Sequence, residues 1–518
     1  MTMLSVLIGA PAVVVAANRV VGSGGLPIEA LKGISLQAGD TLSFRSGEVF
    51  RGSIVLEGID ALSAPVVITS TGEVPAVIDA SGEAEGILIR NCRGIRVERL
   101  AITADGSGGR SQDADLARQR GMRCGIRVDA TAPGEYGDIG ISGISIRDLF
   151  FEEPGFVRGA KEVRTANGTQ SYGWGIRVFG AKDAVVSGVR ITDCRIENVS
   201  HTGIKLTGPT ESIRNVELAG NRVLETGGPG IQMSGVRDVH VHHNTVDRSG
   251  SADDSRKWGR GSGYWCWGSS DILLEYNSFT NASGPADSAG AHIDYNCTNV
   301  ILQYNFSANN AGGFVEILGN NRNCAYRFNI SVNDGFRRKG HDGAFQEGKT
   351  LWLSGYCGKK RLGPYNNYIY NNTIYVASDI EAKFALENTA SGVLIANNLF
   401  YIEGRTSVVP GDQYNPERLG ASQMQNVQIR NNLYLRADVL PSEYRDEAPL
   451  YGVPALRNPG GYQISDYIPN GRELVAEGER IRKIPGDRIG LDGGLDVSRD
   501  LLGNRIRKPI IGAIAPVE

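Results

Sequence analysis

The chain is poor in the residues that most directly announce a chemistry. Its 518 residues include only 7 cysteines and 6 histidines. Cys92, Cys124, Cys194, Cys266, Cys297, Cys324 and Cys357 are widely spread, odd in number and without CxxC spacing. That argues against a disulfide framework and against a zinc site, and leaves small buried apolar side chains as the better reading. No basic block is present either: 54 Lys and Arg balance 57 Asp and Glu, for a net charge of −3. Nucleic acid is therefore not an expected partner. No apolar run reaches the ~18–20 residues a membrane-crossing helix needs, so no membrane span is expected. The apolar run from Leu4 to Ala17 lacks a basic stretch before it and contains Pro11. It is ambiguous as a secretory signal, and the expected setting, secreted or periplasmic, allows for a leader already removed.

What the chain does have is glycine, 68 residues, and a recurring phrase. Gly, apolar, variable, apolar, variable appears as Gly125-Ile-Arg-Val-Asp129, Gly175-Ile-Arg-Val-Phe179, Gly203-Ile-Lys-Leu-Thr207 and Gly230-Ile-Gln-Met-Ser234. It continues, degraded, from Gly263, Gly290, Gly312 and Gly335. A second phrase alternates and closes on asparagine, at Asn244, Asn277, Asn305, Asn329, Asn372, Asn398 and Asn432. Period-two alternation over four to six residues means strand. Asparagine tolerates left-handed backbone and can bond its counterpart in the next coil, so the column suits a stacked turn. A repeat of ~22–30 residues without helical pattern predicts a β-solenoid, since propeller blades need ~40–50. The fold expected is all-β: a single right-handed parallel β-helix over 39–435, a cap over 1–38 and a capping tail over 436–518. Pro27 to Lys32 is a candidate capping helix, and 151–174, 249–261 and 339–362 are candidate groove loops.

Several phrases resemble bacterial pectin lyase-like β-helix proteins. They are Gly39-Asp-Thr-Leu-Ser-Phe-Arg-Ser-Gly-Glu-Val-Phe-Arg-Gly52, Pro65-Val-Val-Ile-Thr-Ser-Thr-Gly72 with Pro75-Ala-Val-Ile-Asp79, and Asp500-Leu-Leu-Gly-Asn504 with Ile511-Gly-Ala513. The resemblance implies a carbohydrate-active enzyme, but that superfamily holds hydrolases, lyases, epimerases and depolymerases. Fold alone does not choose among them.

Stacking the phrases maps one face. Second positions read Arg127, Arg177, Lys205, Gln232, Trp265, His292, Phe314, Arg337, and fourth positions Asp129, Phe179, Thr207, Ser234, Trp267, Asp294, Glu316, Lys339. Both columns should point outward. Aligning Gly290 with Gly312 sets Asp294 and Glu316 side by side on adjacent coils. Their carboxyls would then lie roughly 5 Å apart, the retaining-glycosidase separation, with one pKa raised by the other's charge. His292 is placed to orient them or share a proton. Arg177, Lys205, Gln232, Trp265, Trp267 and Phe314 are expected to contact sugar. Asp334, Asp342 and Glu347 are reserve acids. Arg127, Arg177 and Lys205 suit acidic sugars or sulfate, or form a structural ladder. His240 and His242 share a face as a metal pair or, preferably, as satisfied structural residues. Trp258 sits in a polar loop with Asp253, Asp254, Arg256 and Lys257.

The expected activity is glycoside hydrolysis of a polysaccharide or oligosaccharide, with no cofactor. The first alternative is β-elimination on a uronate polymer, with Lys339 or Arg337 as base and Ca²⁺ held by the acids. The second is non-catalytic glycan binding.

Overall fold

The computed structural model describes residues 16–25, 28–31, 34–104, 124–149, 173–250, 261–358, 360–387, 389–411 and 425–516. Most coils contribute three short strands, one to each of three parallel sheets of 12, 14 and 14 strands. One coil runs Ile204–Thr207, Ile213–Ala219, Arg222–Thr226, and the next Ile231–Ser234, Val236–His242, Thr245–Ser249. Each strand lies in parallel register on its counterpart, Ile204 on Ile231 and Leu206 on Met233. The result is a parallel β-helix. Its core is what the alternation predicts: Ile126, Val128, Ile176, Val178, Ile204, Leu206, Ile231 and Met233 all point inward and are buried together.

The asparagine column is a continuous buried ladder. Asn305 Oδ1 accepts from both the backbone N and Nδ2 of Asn277 at 3.0 Å, and Asn305 repeats the pattern onto Asn329 at 3.0 Å. The ladder begins at Asn221 and ends on Asp446, which accepts from Asn432. The left-handed residue is not the ladder asparagine but the one before it: His243, Tyr276, Tyr304 and Phe328 have φ of 56°, 54°, 57° and 54°. The asparagine amide bonds what that turn leaves exposed, so chemistry rather than backbone tolerance selects it.

Stacking begins earlier than residue 39, because strand Asn18–Val21 pairs with Thr41–Phe44. Ile28–Leu31 is a 3-10 turn, while Pro27 and Lys32 lie outside the described residues. At the other end Val439 and Tyr444 complete the core. The rest of the tail runs back along a flank. Tyr304, Tyr370 and Asn371 donate to the carbonyls of Arg499, Leu495 and Ile510 at 2.8, 2.9 and 2.6 Å. No helix among the described residues is long and apolar enough to cross a membrane.

The region 339–362 is not one loop. It holds an excursion, strand Lys349–Leu353 of the 12-stranded sheet, and a small antiparallel pairing of Tyr356–Cys357 with Lys360–Arg361. Most of 151–174 and 249–261, with Trp258, Asp253, Asp254, Arg256 and Lys257, lies outside the described residues.

Candidate active site

The outward face of the 12-stranded sheet carries the candidate residues. Arg127, Arg177, Lys205, Gln232, Trp265 and His292 do form one column, coil by coil. Beyond His292 the register differs from the expectation. Ile293 pairs with Ile317 and Ala289 bridges to Gly313, so Glu316 succeeds His292, and Trp352 succeeds Glu316. Asp294 follows Trp267 in the neighbouring column, its N–H bonded to the Cys266 carbonyl at 2.9 Å. Asp294 and Glu316 are thus diagonal neighbours, not side by side. The step between these coils is 24 residues, Ala289 to Gly313 and Ile293 to Ile317, and not the 22 that aligning Gly290 with Gly312 implies.

The shift removes Phe314 from the substrate-contacting set. Phe314 is fully buried and packs edge-on against Tyr326 at 5.4 Å. Replacing it with alanine is expected to cost about 3–5 kcal/mol of stability, read by urea unfolding; an outward contact residue would cost almost nothing. Lys339 is also displaced, because the strand expected from Gly335 is supplied by Lys349–Leu353 instead. Lys339 is exposed outside the sheet, so Lys339→Ala is expected to leave kcat/KM unchanged in the same preparation.

Arg337 is buried, but it is a clamp and not a base. Its guanidinium donates to the carbonyls of Gln346 at 2.8 Å, Gly284 at 2.9 Å and Asp287 at 3.0 Å. The Asp287 N–H donates in turn to Gln346 Oε1 at 2.7 Å. These bonds staple the turn before strand Ala291–Ile293 to the excursion before Lys349. Of the reserve acids, Asp334 is buried in a turn, accepting from Asn310 at 2.8 Å and Ser331 at 2.7 Å, and burial pushes it up to about 7. Asp342 is exposed, and Glu347 pairs with Lys383 at 3.4 Å. None of the three sits on the outward column.

Three carboxylates do come together electrostatically. Burial raises Glu316 well above the usual carboxylate range; the charges of Asp287 and Asp294 raise it further, against Lys349 and Arg337. Lys349, on the following coil, is itself buried. Its ammonium lies 3.7 Å from the centre of the Trp352 ring, and burial pulls it down to about 8 although Glu316 opposes that. Sequence reasoning missed Asp287 and placed Lys349 and Trp352 only in a groove-overhanging loop, not on the sheet. The first lies in a turn with no repeat phrase, and the other two follow an insertion that hides the coil.

Next to the carboxylates lies an aromatic wall. Trp265 and Trp267 stand 5.2 Å apart and Trp265 lies 5.4 Å from His292. The indole N–H groups of Trp265 and Trp352 are buried without a hydrogen-bond partner, as is Gln232 Oε1. Stranded donors and acceptors of this kind are costly, and hydroxyl-rich sugars would satisfy them.

On another sheet, His240 faces Glu275 at 3.0 Å and His242 faces Glu217 at 3.3 Å, so each imidazole has a carboxylate partner. Among the described residues no group of three or more His, Cys, Asp or Glu is arranged to hold a metal ion.

A three-sheeted coil stack with a polar, aromatic-walled face defines a right-handed parallel β-helix protein. Residues 174–337 match the family model described as right handed beta helix region. A lacto-N-biosidase of Bifidobacterium longum subsp. longum is 25% identical over 329 residues, covering 58% of this chain and 19% of that protein. The chain therefore spans about a fifth of that relative's length. The crystal structure of GH136 lacto-N-biosidase from Eubacterium ramulus superposes with a TM-score of 0.51 at 17% identity, covering 84% of this chain and 68% of that one.

Proposed function

We propose that this protein is a glycoside hydrolase that cleaves an oligosaccharide or polysaccharide on the outward face of its 12-stranded sheet. The observation that carries the reading is the unequal set of carboxylates, with Glu316 pushed well above the usual carboxylate range by burial and by the charges of Asp287 and Asp294. Glycosidic cleavage needs such a pair, one acid to protonate the leaving oxygen and one anion opposite it. In this reading Glu316 is the proton donor, and Asp287 or Asp294 acts on the sugar or on water. His292, on the coil before Glu316, packs against Trp265 and helps fix the ring wall. No cofactor is required. The names of the relatives support a lacto-N-bioside as the first substrate to try, and a secreted or periplasmic setting belongs to the same proposal.

The test is a panel of neutral and acidic oligosaccharides, including a chromogenic lacto-N-bioside, read in parallel by reducing ends and by absorbance near 235 nm. Reducing ends without the absorbance are expected, and one of the two variants Asp287→Asn and Asp294→Asn should lower kcat by ~10²–10⁴, which tells which carboxylate acts. Full activity in both variants sinks the assignment.

One observation favours a second reading. A buried lysine pulled down to about 8 is suited to abstract the proton α to a uronate carboxyl. If Lys349 is that base, Lys349→Met abolishes a reaction that produces 235 nm absorbance. Under hydrolysis it lowers the rate without any such product.

A further inference from the structure

Three basic residues succeed one another in the outward column, and the structure divides them. Arg127 is a structural cation, bonded to Glu85 at 2.7 Å and to Asp129 at 2.8 Å. Arg177 and Lys205, on the next two coils, have no ion pair or hydrogen bond among the described residues. Arg177 is nevertheless 5% exposed, and its Nη1 is buried without a partner. Asp129, the acid that acts on it through space, is already engaged by Arg127 at 2.8 Å and Arg90 at 3.9 Å.

Both cations sit against one indole. The Arg177 guanidinium lies 4.3 Å and the Lys205 ammonium 4.5 Å from the Trp174 ring centre. The same ammonium is 6.0 Å from the Trp267 ring, which joins this cluster to the aromatic wall beside the carboxylates. Trp174 Nε1 and Thr207 Oγ1 are also buried without partners. Burial and the neighbouring Arg177 charge push Lys205 down to about 7, and burial brings Arg177 to about 10. Two adjacent cations, Arg177 buried and Lys205 half-buried, without a counter-ion among the described residues are a strained arrangement that folding alone does not reward. Cation–π contact with one indole only partly offsets it. A bound anion would offset the rest, and the guanidinium fork suits a planar or tetrahedral one.

We propose that Arg177 and Lys205, backed by the buried Trp174 ring, form a subsite for an anionic substituent, a carboxylate or a sulfate, on a sugar seated against Trp267. The substrate class is then an acidic glycan whose charged residue lies beyond the cleavage point, on the side of the groove away from Glu316. This specificity rests on the carbohydrate-cleaving reading, but binding tests it independently of turnover.

Calorimetry on the full chain carrying Glu316→Gln would compare four probes. They are a glucuronic-acid disaccharide, its carboxyl-reduced neutral counterpart, a sulfated disaccharide, and its unsulfated counterpart. At least one anionic probe is expected to bind tenfold or more tighter than its neutral partner, and which pair shows it distinguishes carboxylate from sulfate. Arg177→Gln and Lys205→Met should each cut that preference at least fivefold, leaving neutral affinity within about twofold. Because the lysine is unpaired, Lys205→Met should also keep or raise the thermal midpoint, so loss of folding does not mimic loss of binding. Arg127→Gln, which breaks a paired cation, should lower the midpoint and keep the preference. Equal or absent binding of anionic and neutral probes overturns the subsite, as does a preference that survives both substitutions. Anion-dependent binding with no cleavage of any probe by the unmutated chain leaves the subsite standing and removes the hydrolase reading.

Discussion

Glu316→Gln is expected to lower kcat by ~10²–10⁴ while leaving substrate affinity within a few-fold. The substitution keeps the shape and removes the transferable proton. The same change should act on stability in the opposite sense. Folded Glu316 holds its proton well above the ordinary value of 4.5, whereas the unfolded chain loses it near that value. The native state then binds more protons than the unfolded one, so the stability due to this group is complete below pH ~4.5 and is lost as pH rises through the folded pKa. Glutamine removes that slope, so the variant's urea midpoint should overtake that of the parent as pH rises. Activity of the parent should fall on the alkaline side for the same reason, as the donor ionises. A variant that is inactive and less stable at every pH would make Glu316 a structural residue.

Asn305→Ala is expected to destabilise the protein by about 3–5 kcal/mol, measured by urea or thermal unfolding. The residue is fully buried, and its amide donates to the carbonyls of Leu274 at 2.9 Å and Gln303 at 2.8 Å and to Asn329 Oδ1 at 3.0 Å. Its Oδ1 also accepts twice from Asn277. Alanine strands these groups in a place water does not reach, and each stranded group costs ~1–3 kcal/mol before relaxation. Asn281 is a fair comparison: it is exposed and donates to Asp247 at 2.7 Å, so Asn281→Ala should fall within about 1 kcal/mol of the parent. Similar losses in the two variants would mean that the ladder decorates the turn and does not hold it.

Much of this was legible in the repeat. The alternation placed the core, the glycine phrase placed six successive members of the outward column, and seven ladder asparagines were readable by their spacing alone. The slip at Glu316 was avoidable. From Ala289 to Asn310 each residue finds its counterpart 24 positions on: Asn305 meets Asn329 and Asn310 meets Asp334 at that step. Carrying the asparagine step back to the glycine phrase would have set Glu316 beside His292. The next coil offers no such guide. The step there is 36 at Val315 and Leu351 but 43 at Asn329 and Asn372, because the chain leaves the coil twice before returning. Periodicity therefore fails just where Lys349 and Trp352 enter the site.

The lack of cysteine pairs, basic blocks and long apolar runs, together with two phrases in register, was enough to determine the fold and the residues that share the outward face of the 12-stranded sheet. Those are properties of short-range alternation, which a strand enforces residue by residue. Which carboxylates meet was decided only by tertiary structure. Asp287 comes from a turn and is fastened by Arg337 and Gln346 through backbone bonds. The division of three similar cations into one paired and two unpaired likewise depends on where Glu85 and Asp129 fall. Side-chain partnership across coils is a matter of ångströms, and the sequence records only the order in which the coils are laid down.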